Sequence, residues 1–241
     1  MGTPVRPTGM ASAAAALRYW ERRQEVASNN LANVSTEGFK GERVFARLVE
    51  GGLPAPDAAT DFAPGALKTT GNPYDVAIEG RGFFVAQTAR GERLTRGGSL
   101  HVSESGLLVD SSGNPLLGDR GVIQVASRGN AEPSRIEITR TGAVRVDGSE
   151  LAQLRIETVP AGTQMAREGA GLFVPPATRT RLPDDSPVVR QGVLEESNVT
   201  PVSEMVDMIA IQRAFTAVQK AMVTLDGTRG IATTELGRPA N

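Results

Sequence analysis

Residues 200–226 read TPVSEMVDMIAIQRAFTAVQKAMVTLD, and this stretch sets the architecture. Met208, Ile211, Phe215, Val218, Met222 and Leu225 step by three, four, three, four and three. Apolar residues in that alternation draw a seam along one side of an α-helix, a pattern foreign to a strand. Thr200 offers an N-cap hydroxyl and Pro201 suits the first helical position. Glu204 lies in the first turn, where the helix dipole favours an anion. Gly227 and Gly230 are expected to stop or fray the helix.

A second helix is expected at the other end, over about residues 8–34. Pro7 precedes it, and Ala dominates 11–16, the best helix former. Leu17, Trp20, Gln24, Ala27, Leu31 and Val34 again alternate by three and four, with one polar break at Gln24. Arg18, Glu21, Arg22, Arg23 and Glu25 take the other faces. Gly38, just beyond, permits a chain reversal.

Between the helices the grammar changes. Tyr74–Glu79, Gly82–Gln87, Leu107–Asp110, Val122–Ala126, Arg135–Thr139, Ala143–Val146 and Leu151–Val159 are short β-prone runs. Turn clusters such as Ser111-Ser112-Gly113-Asn114 and Thr141-Gly142 separate them, which predicts an antiparallel β domain. Residues 50–73 are rich in Gly, Pro and Ala and read as extended. The fold class expected is α+β: long N- and C-terminal helices pairing as a coiled-coil-like core, with a central, mainly antiparallel β domain. The expected division is 1–40 (helix and turn), 41–73 (extended connector), 74–190 (β domain) and 191–241 (a strand leading into the helix that pairs with the first).

An apolar stripe has to be buried. Six large side chains contribute roughly 10 kcal/mol when buried, at about 25 cal/mol per Å². Each stripe has two possible covers. Docking onto the β domain is the commoner fate of an amphipathic helix. Pairing of the two stripes is the other, but Met205, Val206 and Ile209 add apolar surface beside the main seam. One two-helix contact does not cover both flanks, so the surplus predicts further packing against neighbouring copies.

Composition narrows the chemistry. The 241 residues carry 26 Lys and Arg against 27 Asp and Glu, a formal net charge of -1, which argues against a nucleic-acid partner. Cysteine is absent and histidine occurs once, which removes disulfides, thiolate metal sites and histidine clusters. Gly 27 and Pro 15 imply many turns, and aromatics at 4% supply few stacking platforms. No apolar run is long enough to span a bilayer. The N-terminal stretch lacks the apolar core and cleavage site of a secretory signal.

Candidate catalytic groups are few. Asp184-Asp185 and Glu195-Glu196 are adjacent acids, and neighbours on a strand point to opposite faces, so neither pair supplies two convergent carboxylates. The Gly80-Arg81-Gly82 element lacks the third glycine and following helix of a nucleotide fingerprint and reads as a bulge or tight turn. His101, between Leu100 and Val102, reads as a strand residue. No cofactor, metal or enzymatic activity is expected.

Several stretches carry a resemblance. Residues 28–40, SNNLANVSTEGFK, resemble the NNLANxxTxGFK signature of bacterial flagellar axial proteins of the rod and hook, with Glu37 where that pattern often has Pro. Asp75–Val85 (DVAIEGRGFFV) is similar to the family's D-x-A-I-x-G-x-G-F-F stretch. Leu94–Leu100 (LTRGGSL) is similar to its Y-T-R-x-G-x-F, with leucines replacing aromatics. Gly106–Asp110 continues it. Arg190–Val199 (RQGVLEESNV), followed by Glu204-Met205-Val206, Met208-Ile209 and Gln212–Phe215, resembles the C-terminal signature. The order is the family's and the span is nearly the whole chain. The resemblance is to basal-body rod proteins of the FlgF/FlgG type. The short chain and Pro201 after Asn198-Val199-Thr200 lean toward the proximal-rod branch.

That resemblance implies a structural subunit that assembles into a helical, torque-transmitting tube, with helices in an inner layer and β domains in an outer one. It implies partners: further copies of itself, other flagellar rod and hook axial proteins, and the flagellar type III export apparatus. It implies a place in the periplasm-spanning rod of the basal body, reached without a cleaved signal peptide. The residues expected at assembly interfaces are Leu17, Trp20, Ala27, Asn29, Asn30, Leu31, Asn33, Val34, Gly38 and Phe39, with Met205, Met208, Ile209, Ile211, Phe215, Val218, Met222 and Leu225. The amides of Asn29, Asn30 and Asn33 have two readings: a local cap or turn, or a buried polar group that fixes helix register. Gly38 allows a positive φ, and Phe39 can anchor the departing chain. The alternative is a secreted β-domain module that binds polysaccharide or protein, its helices being ordinary packing. A cell-wall glycan hydrolase, a third reading, lacks convergent carboxylates.

Overall fold

In a computed structural model of the chain, residues 9–48, 54–126, 135–169, 171–186 and 188–236 are described. The chain forms two compact units. One comprises residues 1–32, 42–61 and 200–241; the other comprises 33–41 and 62–199.

The first unit is helical. Helix α1 spans Gly9–Ala32 and helix α2 spans Pro201–Leu236. They pack against each other. Asn30, near the end of α1, hydrogen bonds to Glu204, near the start of α2. Leu225 lies against Gly9 at the other end, its Cδ1 3.7 Å from where a Cβ on Gly9 would sit. The helices are therefore antiparallel. The contact positions are twenty-one residues apart on each (Gly9 to Asn30, Glu204 to Leu225), about 30 Å at 1.5 Å per residue.

The expected stop at Gly227 and Gly230 does not occur, because α2 continues to Leu236. A helical glycine costs about 1 kcal/mol relative to alanine, but it keeps its N–H, so an established helix elongates through it.

Within the segment 41–73, expected as an extended connector, residues 42–48 and 54–60 pair as a regular antiparallel ribbon. Strand β1 (Glu42–Leu48) pairs antiparallel with β2 (Pro54–Thr60), from Glu42 opposite Thr60 to Leu48 opposite Pro54. Pro54 and Pro56 are tolerated because a two-stranded ribbon has only edges. Arg43–Asp61 and Arg47–Asp57 ion pairs lie along the ribbon, which packs on α1.

The second unit is antiparallel β throughout its described strands. Its five-stranded sheet has the order Leu172–Phe173, Gly91–Thr95, Phe83–Thr88, Ile156–Thr158, Thr180–Arg181. Ile136–Ile138, Ala143–Val146 and Ser149–Gln153 form a three-stranded meander. Val189–Gln191 pairs with Val76–Ile78, and Val193–Glu195 with Leu67–Thr69.

The central strand reads Phe83-Phe84-Val85-Ala86, buried without a break. Alternate side chains enter two cores, so the strand is covered on both faces. Phe84 and Ala86 join Val76, Leu108, Leu116 and Val144 in the larger core. Phe83 and Val85 join Leu94, Met165 and Phe173 in the smaller. Phe62, Phe83 and Phe173 pack edge to face there, with centroids 5.2–6.0 Å apart. Three of the ten aromatic residues of the chain meet in this cluster.

Candidate assembly interface

Two regions bring the singled-out residues together, one in each unit. In the helical unit the seam of α2 lies on the side that meets α1. Ile211 is buried, and Met208, Phe215, Val218 and Met222 are half-buried along the same stripe. From α1, Ala27 and Asn30 are buried and Leu17, Trp20 and Leu31 half-buried, while Asn29 is exposed.

The buried amide is Asn30. Its Nδ2 donates to the Glu42 carbonyl at 3.0 Å and to Glu204 Oε1 at 3.2 Å, and its Oδ1 accepts from the Glu42 N–H at 3.0 Å. One side chain thereby ties α1 to the start of β1 and to the first turn of α2. Asn33 plays the other role foreseen for these amides. Its carbonyl and Oδ1 accept from the Thr36 N–H and hydroxyl, closing a turn.

Burial holds the Glu204 carboxyl above its ordinary range, and Asp207 adds to that. The Asn30 hydrogen bond, Arg23 and Arg43 pull the other way. A carboxyl whose folded pKa is raised opposes folding once pH exceeds that pKa, and the opposition vanishes below its unfolded value, about 4.3. Glu204→Gln is therefore expected to gain helical stability relative to wild type at pH 7. The difference should close as pH falls to about 4. Thermal melts followed at 222 nm check this, and a difference independent of pH would contradict it.

The outer side of α2 is different. Val202, Met205, Val206 and Ile209 lie at i, i+3, i+4 and i+7, about 150° around the helix from the buried seam. They are 69, 52, 60 and 52% exposed. Val223 and Ile231 are exposed further along, and Leu225 is 40% exposed. An apolar stripe of this kind, left open to water, is a candidate association surface.

The remaining singled-out residues, Asn33, Val34, Gly38 and Phe39, belong to the β unit and build a turn, not a helix seam. Gly38 has φ +64°, and a Cβ there would sit 2.4 Å from the Arg96 carbonyl carbon. Only glycine fits. Phe39 is buried, with the Arg167 guanidinium 4.4 Å above its ring, and Arg167 also donates to the Lys40 carbonyl.

Beside this turn lies a feature that sequence reasoning missed. Lys40 is 0% exposed and its Nζ donates to Glu195 Oε1 at 2.6 Å and to the Ala63 carbonyl at 2.8 Å. Arg96 donates to Glu195 Oε2 at 3.0 Å and to the carbonyls of Ile78 and Gly80. The Gly65 N–H also reaches Glu195 Oε1, at 2.8 Å, and the Gly38 N–H reaches the Glu195 carbonyl, at 2.7 Å. Burial lowers the Arg96 pKa, and Glu195 works against that shift.

Glu195, read as one of an adjacent acidic pair, is thus a buried counterion, while Glu196 is exposed. Lys40 and Arg96, from two signature stretches, converge on the Glu195 carboxylate of a third, and the carbonyls of Ile78 and Gly80 in a fourth accept from Arg96. Gly80 and Gly82, with φ +93° and +146°, form the turn whose carbonyl faces Arg96. Asn198 closes the assembly: its Oδ1 accepts from the Gly41 N–H and its Nδ2 donates to Ala63. The one available signal was an acid directly following Val193-Leu194 in an apolar strand. His101 is exposed in its strand, and Asp184 pairs with Arg181. Among the described residues, no cluster of three or more His, Cys, Asp or Glu is placed to hold a metal ion.

An exposed apolar helix face, a polar residue pinning two helices and a signature-built ionic centre define a protein that works by packing. Comparison with known proteins gives its class. Residues 10–40 match the family model for flagella basal body rod proteins. Residues 77–146 match that for the flagellar hook protein FlgE/F/G D1 domain, and 190–234 that for the flagellar basal body rod FlgEFG protein C-terminal region. The chain is 33% identical over 216 residues to the flagellar basal-body rod protein FlgF of Caulobacter vibrioides, covering 83% of this chain and 86% of the relative. It is 35% identical to FlgF of Mesorhizobium japonicum, covering 81 and 83%. With the rod protein FlgG of Buchnera aphidicola it shares 31%, covering 83 and 89%.

The chain belongs to the flagellar basal-body rod protein family. It is a structural subunit of the bacterial flagellar rod, a reading these relatives favour over a secreted binding module.

Proposed function

We propose that this subunit self-assembles into a helical tube that transmits torque, and that its helical unit carries the assembly. The single supporting observation is the outward stripe Val202, Met205, Val206 and Ile209, apolar surface that α1 leaves open. Subunit contacts are heterologous, the kind that builds open filaments. Pairing of α1 and α2 is coiled-coil-like, which the three-four spacing of α2 and the antiparallel approach of the helices support. The helical ends, the connecting segment 41–73 and the β domain act as the working divisions of the chain, and the residues foreseen at interfaces are its contact set. Partners are further copies and the neighbouring rod and hook axial proteins.

The chain reaches the periplasm-spanning rod through the flagellar type III apparatus without a cleaved signal. Among the described residues, no helix is long and apolar enough to cross a membrane. The role is structural and not enzymatic. The identities with FlgF relatives, up to 35%, support the proximal-rod branch.

A peptide tag inserted at the exposed Ala89-Arg90 turn tests this reading. In a strain lacking its own copy, the tagged chain is expected in purified basal bodies at rod level, with motility restored. A tagged chain that restores nothing and is absent from basal bodies would contradict it.

A further inference from the structure

On α2 the outward three-four register runs through Val202, Val206, Ile209, Arg213, Thr216 and Lys220, all exposed. Its middle is cationic, and no acid lies in that register between 202 and 223. On α1 a matching outward register runs through Arg18, Glu21, Glu25, Ser28 and Ala32, also all exposed. Its middle is acidic: Glu21 and Glu25 stand one turn apart, and the Glu25 side chain is 71% exposed even while bonded to Arg22. Toward its C-terminal end it carries the small residues Ser28 and Ala32, which permit close approach of another helix.

We infer that the outward face of α2 in one copy packs on the outward face of α1 in the next, with Arg213 and Lys220 set against Glu21 and Glu25. This rests on the rod reading and adds which faces meet. Large apolar side chains on one face match small ones on the other. Charged groups inside a helical seam fix register because any other alignment leaves them unmatched. The two faces belong to different helices, so the contact is heterologous and each copy offers both halves, which carries the contact from copy to copy and builds an open helix wherever the rotation does not close a ring.

Charge exchange in the full-length chain tests the inference, in a strain lacking its own copy, by amount in purified basal bodies. Arg213→Glu with Lys220→Glu is expected to lower incorporation by about tenfold or more, and Glu21→Lys with Glu25→Lys likewise. All four substitutions together are expected to restore incorporation to within about threefold of wild type. Equal helicity at 222 nm confirms that each variant is folded. Wild-type incorporation by either double variant, or a fourfold variant as poor as the doubles, would overturn the pairing while leaving the rod assignment standing. Absence of the wild-type chain itself from basal bodies would overturn that assignment as well.

Discussion

Glu195→Ala is expected to destabilise the β unit by about 3–5 kcal/mol, a large share of the 5–15 kcal/mol that holds a typical domain together. The carboxylate accepts from Lys40, Arg96 and the Gly65 N–H. Without it two cations remain in a site where Lys40 is 0% exposed and Arg96 4%. An unmatched buried charge costs more than the packing lost with one side chain.

An ordering of variants separates charge from packing. Lys40→Met removes a cation and leaves Glu195 paired one to one with Arg96, so its loss is expected to be clearly smaller than that of Glu195→Ala. Urea unfolding followed in the near ultraviolet reads both. Equal losses would show that shape, not charge balance, holds this centre.

The two helices were legible because a periodic signal needs only local residues. The α2 seam was readable from Met208 to Met222 without knowing what it touched. The ionic centre was not legible in the same way. Lys40 and Glu195 are 155 positions apart, and nothing in either neighbourhood names its partner. Both were present in quoted signatures, yet resemblance marks a position without giving its physics.

The β1–β2 ribbon was hidden for another reason. Pro54, Pro56 and four alanines have low strand propensity, and the pairing is held by backbone register and by packing on α1. Glycines 227 and 230 misled because propensity is a weak prior once a helix has nucleated. Asn29, Asn30 and Asn33 show the limit most clearly. Three like residues take three different fates, exposed, buried and turn-closing, set by the side of the helix and the point where it ends.

The second large effect follows from the division of labour between the units. Deletion of 200–241 removes α2 together with its α1-facing seam and its outward stripe. The ionic centre, both β cores and every described sheet except the β1–β2 ribbon lie within 33–41 and 62–199 and keep all the partners named above. The truncated chain is therefore expected to retain a cooperatively folding β unit while losing the surface that joins copies.

Measuring incorporation of this truncation into purified basal bodies, beside its unfolding transition in solution, is the most direct test of the claim that the helical ends build the rod. The account predicts a preserved near-ultraviolet transition, no chain in the rod and no motility. A truncated chain that enters basal bodies at wild-type level and supports swimming would contradict it.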